Sequence, residues 1–205
     1  MKNGITLVGY DNKDANRTAK VLSRQRELFP FEDAILVSRQ FPTNGNGKDF
    51  STIITKREGY SSAMLFELEI GQYVHTEYSL FVSHDGFILN PEMWQDSWLE
   101  YDFIGAPWPV EWMGTLVRGR NRVGNTGFCL RSRKFMDACF ASIPLYNGQS
   151  GDVFCCQVMY EAFLDMGIKF APPEIAAQFA SENRCRETVE KPFGFHGWLD
   201  GRKPF

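Results

Sequence analysis

Several protein classes need features that this chain lacks. No apolar run reaches the roughly 18 residues that a membrane-crossing helix requires. The opening stretch, MKNGITLVGYDNK, has too short an apolar run for a secretory leader, so the expected location is cytoplasmic. No Gly-x-Gly-x-x-Gly follows the first apolar strand, and no Gly-x-x-x-x-Gly-Lys-Ser/Thr occurs, which argues against dinucleotide oxidoreductases and P-loop enzymes. Five cysteines, at 129, 139, 155, 156 and 185, form no Cys-x-x-Cys pair. An odd set without that spacing points to reduced thiols, several of them acting as small core residues, and away from a zinc site. There is no basic excess: 22 Lys and Arg face 25 Asp and Glu, for a net charge of -3. A general polyanion binder usually carries the opposite balance, although a local basic patch stays open.

The composition that is present is globular. With 205 residues and 43% hydrophobic content, the chain suits one domain with a sizeable core. Aromatics reach 15%, with 18 Phe, which implies a well-filled core and room for stacking surfaces in a cleft. The first 90 residues alternate by pattern. Ile5–Tyr10 reads as a strand ending in Asp11-Asn12, and Asp14–Phe29 as a helix with Ala15, Thr18, Leu22 and Phe29 on one stripe, stopped by Pro30. Ala34–Val37 and Ser51–Thr55 read as short strands, Tyr60–Val74 as a second helix, and Tyr78–Val82 as a buried strand. Such alternation predicts an α/β fold with a mixed, mostly parallel sheet flanked by helices. The second half reads as a short helix over Trp94–Tyr101 and a strand running into a proline-aromatic loop over Asp102–Trp108. A strand over Asn125–Arg131, helices over Ser132–Ala141 and Asp152–Met166, and a last strand over Ile168–Ala171 complete it. No repeat or linker divides the chain. It is expected to be one domain over 1–205, with a nucleotide-binding half to about residue 90 and an acceptor half from 91 onward.

The chemistry-bearing stretches follow from this frame. Tyr78–Val82 runs into Ser83-His84-Asp85-Gly86, which places a carboxylate at the carboxyl edge of the sheet, where ligands bind in open α/β folds. Asp85 reads as a metal or nucleotide ligand, or as half of an Asp-Gly turn joining two strands in a hairpin. Arg118, Arg120 and Arg122 concentrate guanidinium groups that could grip phosphate, or form a solvated loop. Gly124-Asn125-Thr126-Gly127-Phe128 allows close backbone approach to a substrate, or marks a bulged strand entry. Asp152, at a helix start, reads as a general base facing the cleft or as an acid favoured there by the helix dipole. His196, between glycines and aromatics, reads as a metal ligand that orders the tail or as a structural hydrogen-bonder.

Taken together, LFVSHDGFILNPEMW, YDFIGAPWP, VGNTGFCLRSRKF, SGDVFCCQ and the PFGFHG tail resemble the GT-A type glycosyltransferases, and among them a small glycosyltransferase-like family. The likeness runs over about residues 76–198. It implies a transferase that moves a sugar from a nucleotide-sugar donor to an acceptor hydroxyl. The acceptor would be a glycan, a small molecule or a hydroxylated base in nucleic acid. It further implies a divalent cation, Mn²⁺ or Mg²⁺, held by Asp85 and His196 on the donor diphosphate, although Ser83 stands where the usual Asp-x-Asp motif has its first acid. Asp11 and Arg118, Arg120 and Arg122 would contact the donor. Trp108, Asn125, Gly127 and Phe128 would line the acceptor side. Asp152 matches the second acid of an Glu-Asp pair, the base position of inverting members, while Gly151 replaces the first acid. The rival classes are a degenerate transferase that binds a sugar or nucleotide without turnover, and a metal-dependent phosphoryl-transfer or hydrolytic enzyme using Asp85, which would need a second carboxylate cluster that the sequence does not offer.

Overall fold

The computed structural model describes residues 2–45, 48–56, 60–110 and 121–197. Its main sheet is built around β1 (Lys2–Asp11), which pairs in parallel with β2 (Phe31–Ser38) on one side and with β4 (Tyr78–Val82) on the other. The short strand β3 (Ser51–Ile54) extends the parallel part beyond β2. Beyond β4 the chain direction reverses: β7 (Phe128–Ser132) pairs antiparallel with β4, and β6 (Phe103–Ile104) antiparallel with β7. The order is β3-β2-β1-β4-β7-β6. The chain runs outward from β1 through β2 to β3 and then crosses back to β4 on the other side of β1, so the gap between β1 and β4 is a topological switch point, and β1 and β4 both end at the same edge.

The reasons for these elements are local. Ile5, Leu7 and Val8 are buried and so is Thr6 between them, the near-continuous burial of a strand covered on both faces. Helix α1 (Ala15–Leu28) starts at Asp14, whose side chain accepts the Asn16 N–H, and buries Ala15, Thr18, Ala19, Val21, Leu22 and Gln25 along one stripe. Helix α2 (Tyr60–Glu69) ends earlier than its hydrophobic pattern predicts and continues as a 3₁₀ turn over Ile70–Gln72. Helix α3 (Arg133–Ala141) is capped by Ser132, which accepts the Phe135 N–H.

A second, smaller sheet closes the site end. Strand β5 (Gly86–Ile88) pairs antiparallel with β9 (Gly194–His196), which pairs in parallel with β8 (Ala180–Ser181). The Asp-Gly hairpin is therefore not formed. Asp85-Gly86 is a corner at which the chain leaves one sheet and enters another, because β5 takes its hydrogen bonds from the C-terminal segment instead of from β4.

Three other expectations are corrected. Trp94–Tyr101 holds a 3₁₀ turn over Asp96–Glu100 and no α-helix. Ile168–Ala171 is no strand but a single bridge, Phe103 to Phe170. The helix expected over Asp152–Met166 is interrupted: α4 (Gly151–Val153) passes through a π-helical turn, Phe154–Val158, before α5 (Tyr160–Asp165). Nine residues of regular helix would put Phe154 and Phe163 on roughly opposite faces. The extra residue of the π turn, with the Met159 N–H on the Phe154 carbonyl at 2.9 Å, rotates both into the core. Helix α6 (Pro173–Phe179), with proline in its first turn, is an element the hydrophobic pattern did not reveal.

Many of the aromatics go inward. Phe29, Trp94, Trp98, Phe179 and Phe193 form a continuous ring cluster, with Trp98 against Phe179 at 5.2 Å and 90°. Four of the cysteines, 129, 139, 155 and 156, are buried free thiols.

The corner after β4 depends on Gly86, where a Cβ would meet the Gly127 carbonyl oxygen at 2.4 Å. Gly86→Ala is expected to lower stability by about 1–3 kcal/mol, because backbone cannot yield as a side chain can. Urea midpoints of the two proteins, compared at equal slope, measure this.

Candidate functional site

Because β1 and β4 end side by side while β7 begins beside them, three connecting segments meet at one edge. Tyr10-Asp11-Asn12-Lys13 follows from β1, Ser83-His84-Asp85 from β4, and Asn125-Thr126-Gly127 leads into β7. The β4–β7 register carries on past the strands, with the Ser83 N–H on the Gly127 carbonyl at 2.8 Å. Tyr10 to Lys13, Ser83, His84 and Asn125 to Gly127, together with Arg17, Glu67, Phe81, Ser150, Gly151, Asp152, Glu182 and His196, surround a cavity of about 420 Å³, and Asp85 touches its wall through Ser83 and His196. That size lies within the range of small-molecule sites.

Asp85 and His196 face each other across the junction of the two sheets, with Oδ1 to Nε2 at 3.4 Å. Ser83 donates its hydroxyl to the same Asp85 oxygen at 2.5 Å, and His84 Nδ1 lies 3.7 Å from it. Burial pushes the Asp85 carboxyl up, but the hydrogen bonds of His196 and Ser83 outweigh it and hold the group well below the usual carboxylate range. For His196 burial lowers the pKa, and the Asp85 and Glu182 carboxylates more than reverse this, lifting it to about 9. Its Nδ1 lies 3.0 Å from Glu182 Oε1 and 2.9 Å from Asn125 Nδ2.

Such a pair suits a divalent cation chemically. A carboxylate oxygen and an imidazole nitrogen converge, a carboxylate behind the ring can hold Nδ1–H, and a cation would displace the Nε2 proton that the pairing with Asp85 favours. Among the described residues no group of three or more His, Cys, Asp or Glu side chains is arranged to hold a metal. The rest of a coordination shell would come from ligand and water.

Asn125 shapes the opposite rim. It sits at φ 57, a left-handed conformation that asparagine tolerates. Its Oδ1 accepts the N–H groups of Gly127 and Phe128 at 3.1 and 3.3 Å, so the loop turns on its own side chain. Gly127 is then a necessity, since a Cβ there would lie 2.1 Å from His196 Nε2.

The remaining predicted site residues divide. Asp152 is half-buried on the cavity wall, its Oδ1 accepting the Val153 N–H at 2.8 Å. Asp11 borders the cavity but is fully engaged: it accepts from Arg17, from the Thr18 hydroxyl at 3.0 Å, and from the Lys13 and Asp14 N–H groups at 2.9 Å each. It organises the turn and orients Arg17, and has no lone pair aimed at a ligand. Arg122 points elsewhere, donating to the Trp108 carbonyl and pairing with Glu187. Trp108 and Phe128 are wholly buried, so they belong to the core and not to an acceptor wall. Arg118 and Arg120 lie outside the described residues, as does the segment after Gly197.

Sequence reasoning missed Arg17, Glu67 and Glu182. Arg17 is the cation that Asp11 presents to the cavity, and three residues past Asp14 in the first helical turn it looked like ordinary helix surface. Glu67 carried a signal: it falls between Phe66 and Leu68, inside the apolar stripe of α2. Glu182 had none, because β8–β9 pairing alone brings it to His196.

Comparison with known proteins bears on this geometry. Residues 48–196 match the family described as "Protein of unknown function (DUF5672)". The chain belongs to this family. No curated protein matches it. Among solved structures, the galactosyltransferase LgtC in complex with donor and acceptor sugar analogs superposes with a TM-score of 0.56 at 12% identity, over 93% of this chain and 86% of that one. A glycosyltransferase involved in glycosylation of the major capsid of PBCV-1 gives 0.54 at 12%, over 94% and 91%. The mannosyltransferase PcManGT from Pyrobaculum calidifontis, in complex with GDP-Man and Mn²⁺, gives 0.49 at 11%, and the chain spans 55% of its length. Identities this low speak for the fold alone. This DUF5672 chain has the GT-A architecture, a mostly parallel mixed sheet flanked by helices. No helix among its described residues is long and apolar enough to cross a membrane.

Burial raises the Asp11 pKa, but the Arg17 hydrogen bond and the two backbone N–H groups outweigh it, so its pKa in the folded protein is lowered. A lowered folded value stabilises the fold above the unfolded value near 3.9 and is lost as pH falls through the folded one. Asp11→Asn is therefore expected to be less stable near neutral pH and to lose less stability between about pH 5 and 2. Parallel acid titrations of urea midpoints measure the difference.

Proposed function

We propose that this chain is a glycosyltransferase that moves a sugar from a nucleotide-sugar donor to an acceptor hydroxyl. The observation that carries the reading is the cavity at the edge between β1 and β4, which His196 and Asp152 both line and at whose margin Asp85 pairs with His196 at 3.4 Å. The donor's nucleotide lies along the β1 end of the edge, in the first 90 residues, and the acceptor enters from the second half of the chain.

Each group then has a task. Arg17 and Lys13 border the cavity as cations and attract the diphosphate. Asp85 and His196 would hold Mn²⁺ or Mg²⁺, which supplies Lewis-acid neutralisation of the charge that grows on the departing diphosphate. Glu182, behind His196, keeps the ring oriented toward Asp85. Asp152 accepts the proton of the attacking hydroxyl, a contribution on the order of 10²–10⁴-fold in rate. A single base acting on one displacement predicts inversion at the anomeric carbon. A glycan or small-molecule hydroxyl is favoured over a base in nucleic acid, since Arg122 is spent on Glu187 and cannot track a phosphate backbone.

Two results are expected. Asp152→Asn lowers turnover by about 10²-fold or more while donor affinity stays within a few-fold, because a base acts mainly in the transition state. Equal loss of donor binding, read by isothermal titration, would remove Asp152 from the base role. Asp85→Ala abolishes any enhancement of nucleoside diphosphate binding by Mn²⁺; an unchanged Mn²⁺ dependence would take Asp85 out of the metal site.

A further inference from the structure

Gly151 lies on the cavity wall, and the structure shows what occupies the space beside it. A Cβ on Gly151 would lie 2.3 Å from Glu67 Oε2 and 2.9 Å from its Cδ. The carboxyl group of a residue in α2 has moved into the volume that a side chain at 151 would take. Glu67 is 8% exposed, and that remaining surface faces the cavity. Its carboxyl is held by Thr126 and by an ion pair to Arg131, but Oε2 itself makes no hydrogen bond of good geometry among the described residues. The nearest cation, Arg131, stops 3.5 Å away, its other nitrogens committed to the Glu67 carbonyl and Cys129 Sγ. A buried carboxyl held by one long ion pair is incompletely satisfied, and a ligand in the cavity that Glu67 lines can complete it.

We propose that Glu67, whose carboxyl fills the volume left open by Gly151, binds the hydroxyl groups of the transferred sugar. This rests on the glycosyltransferase reading. Depth separates its role from that of Asp152. The donor sugar must be seated before an acceptor arrives from solvent, so the deeper carboxyl meets the sugar and the half-buried Asp152 meets the incoming hydroxyl. Burial, with Asp152 adding to it and Arg131 opposing, raises the Glu67 pKa. Its carboxyl oxygens accept from the hydroxyl groups that a sugar presents.

The test compares nucleotide-sugars with the matching free nucleoside diphosphates by isothermal titration, across UDP, GDP and other nucleotide series. Wild type is expected to bind one nucleotide-sugar. Glu67→Gln is expected to bind it about tenfold or more weakly, with nucleoside diphosphate affinity changed less than about twofold. The double variant Glu67→Ala, Gly151→Glu, which returns a carboxyl from the other element, is expected to recover part of the lost sugar affinity. Glu67→Gln binding both ligands like wild type would overturn the inference and leave the glycosyltransferase reading intact. Equal weakening of both would make Glu67 a structural partner of Arg131 and overturn it as well. Wild type binding neither ligand class would overturn both readings. Gly151→Glu alone is expected to lower the melting temperature more than the double variant does. The reverse order would contradict the shared volume.

Discussion

Everything at the ligand edge depends on two sheets touching without side chains between them. Gly86 leaves β4 with its α-carbon against the Gly127 carbonyl, and Gly127 in turn makes room for the His196 ring. Were either residue larger, Asp85 on the first sheet and His196 on the second could not come within 3.4 Å. The contact also sets the charge state of both groups, since each stabilises the other's ionised form against the cost of burial.

Around that contact the site is built in tiers of decreasing burial. Arg131, 1% exposed, sits under the cavity with its guanidinium over the Phe81 ring at 5.1 Å. Glu67 lies above it, and Asp152 and Arg17 reach further toward solvent. A buried cation beneath two carboxyl groups lets acids accumulate where the low dielectric would otherwise expel their charge. The arrangement holds polar groups ready for a ligand instead of pairing all of them internally, a stability cost that proteins accept at functional sites.

Much of this was legible beforehand because the signals were local. The strand Tyr78–Val82, the Asp14 and Ser132 caps and the stripe of α1 follow from periodicity and capping chemistry within a few residues. Asp85, Asn125, Gly127, Asp152 and His196 were picked out by residue type and neighbourhood, and the fold gathers all of them at one edge. Asp11, Arg122, Trp108 and Phe128 were picked out by the same means. Their charges and rings turn out to be consumed by neighbours that no local pattern names: Arg17 for Asp11, Glu187 for Arg122, and the core for both aromatics.

By itself, then, the amino-acid order determined an alternating α/β chain, an acid at the end of a central buried strand and a glycine-rich entry to the next strand. Those are properties of a few neighbouring residues, and side-chain chemistry settles them. Tertiary structure decided that Asp-Gly would be a corner and not a hairpin, because the partner of β5 lies more than a hundred residues away in β9. It also decided that the carboxyl beside Asp152 would come from α2 and not from position 151, because a space left by one glycine can be filled from any element that packs against it.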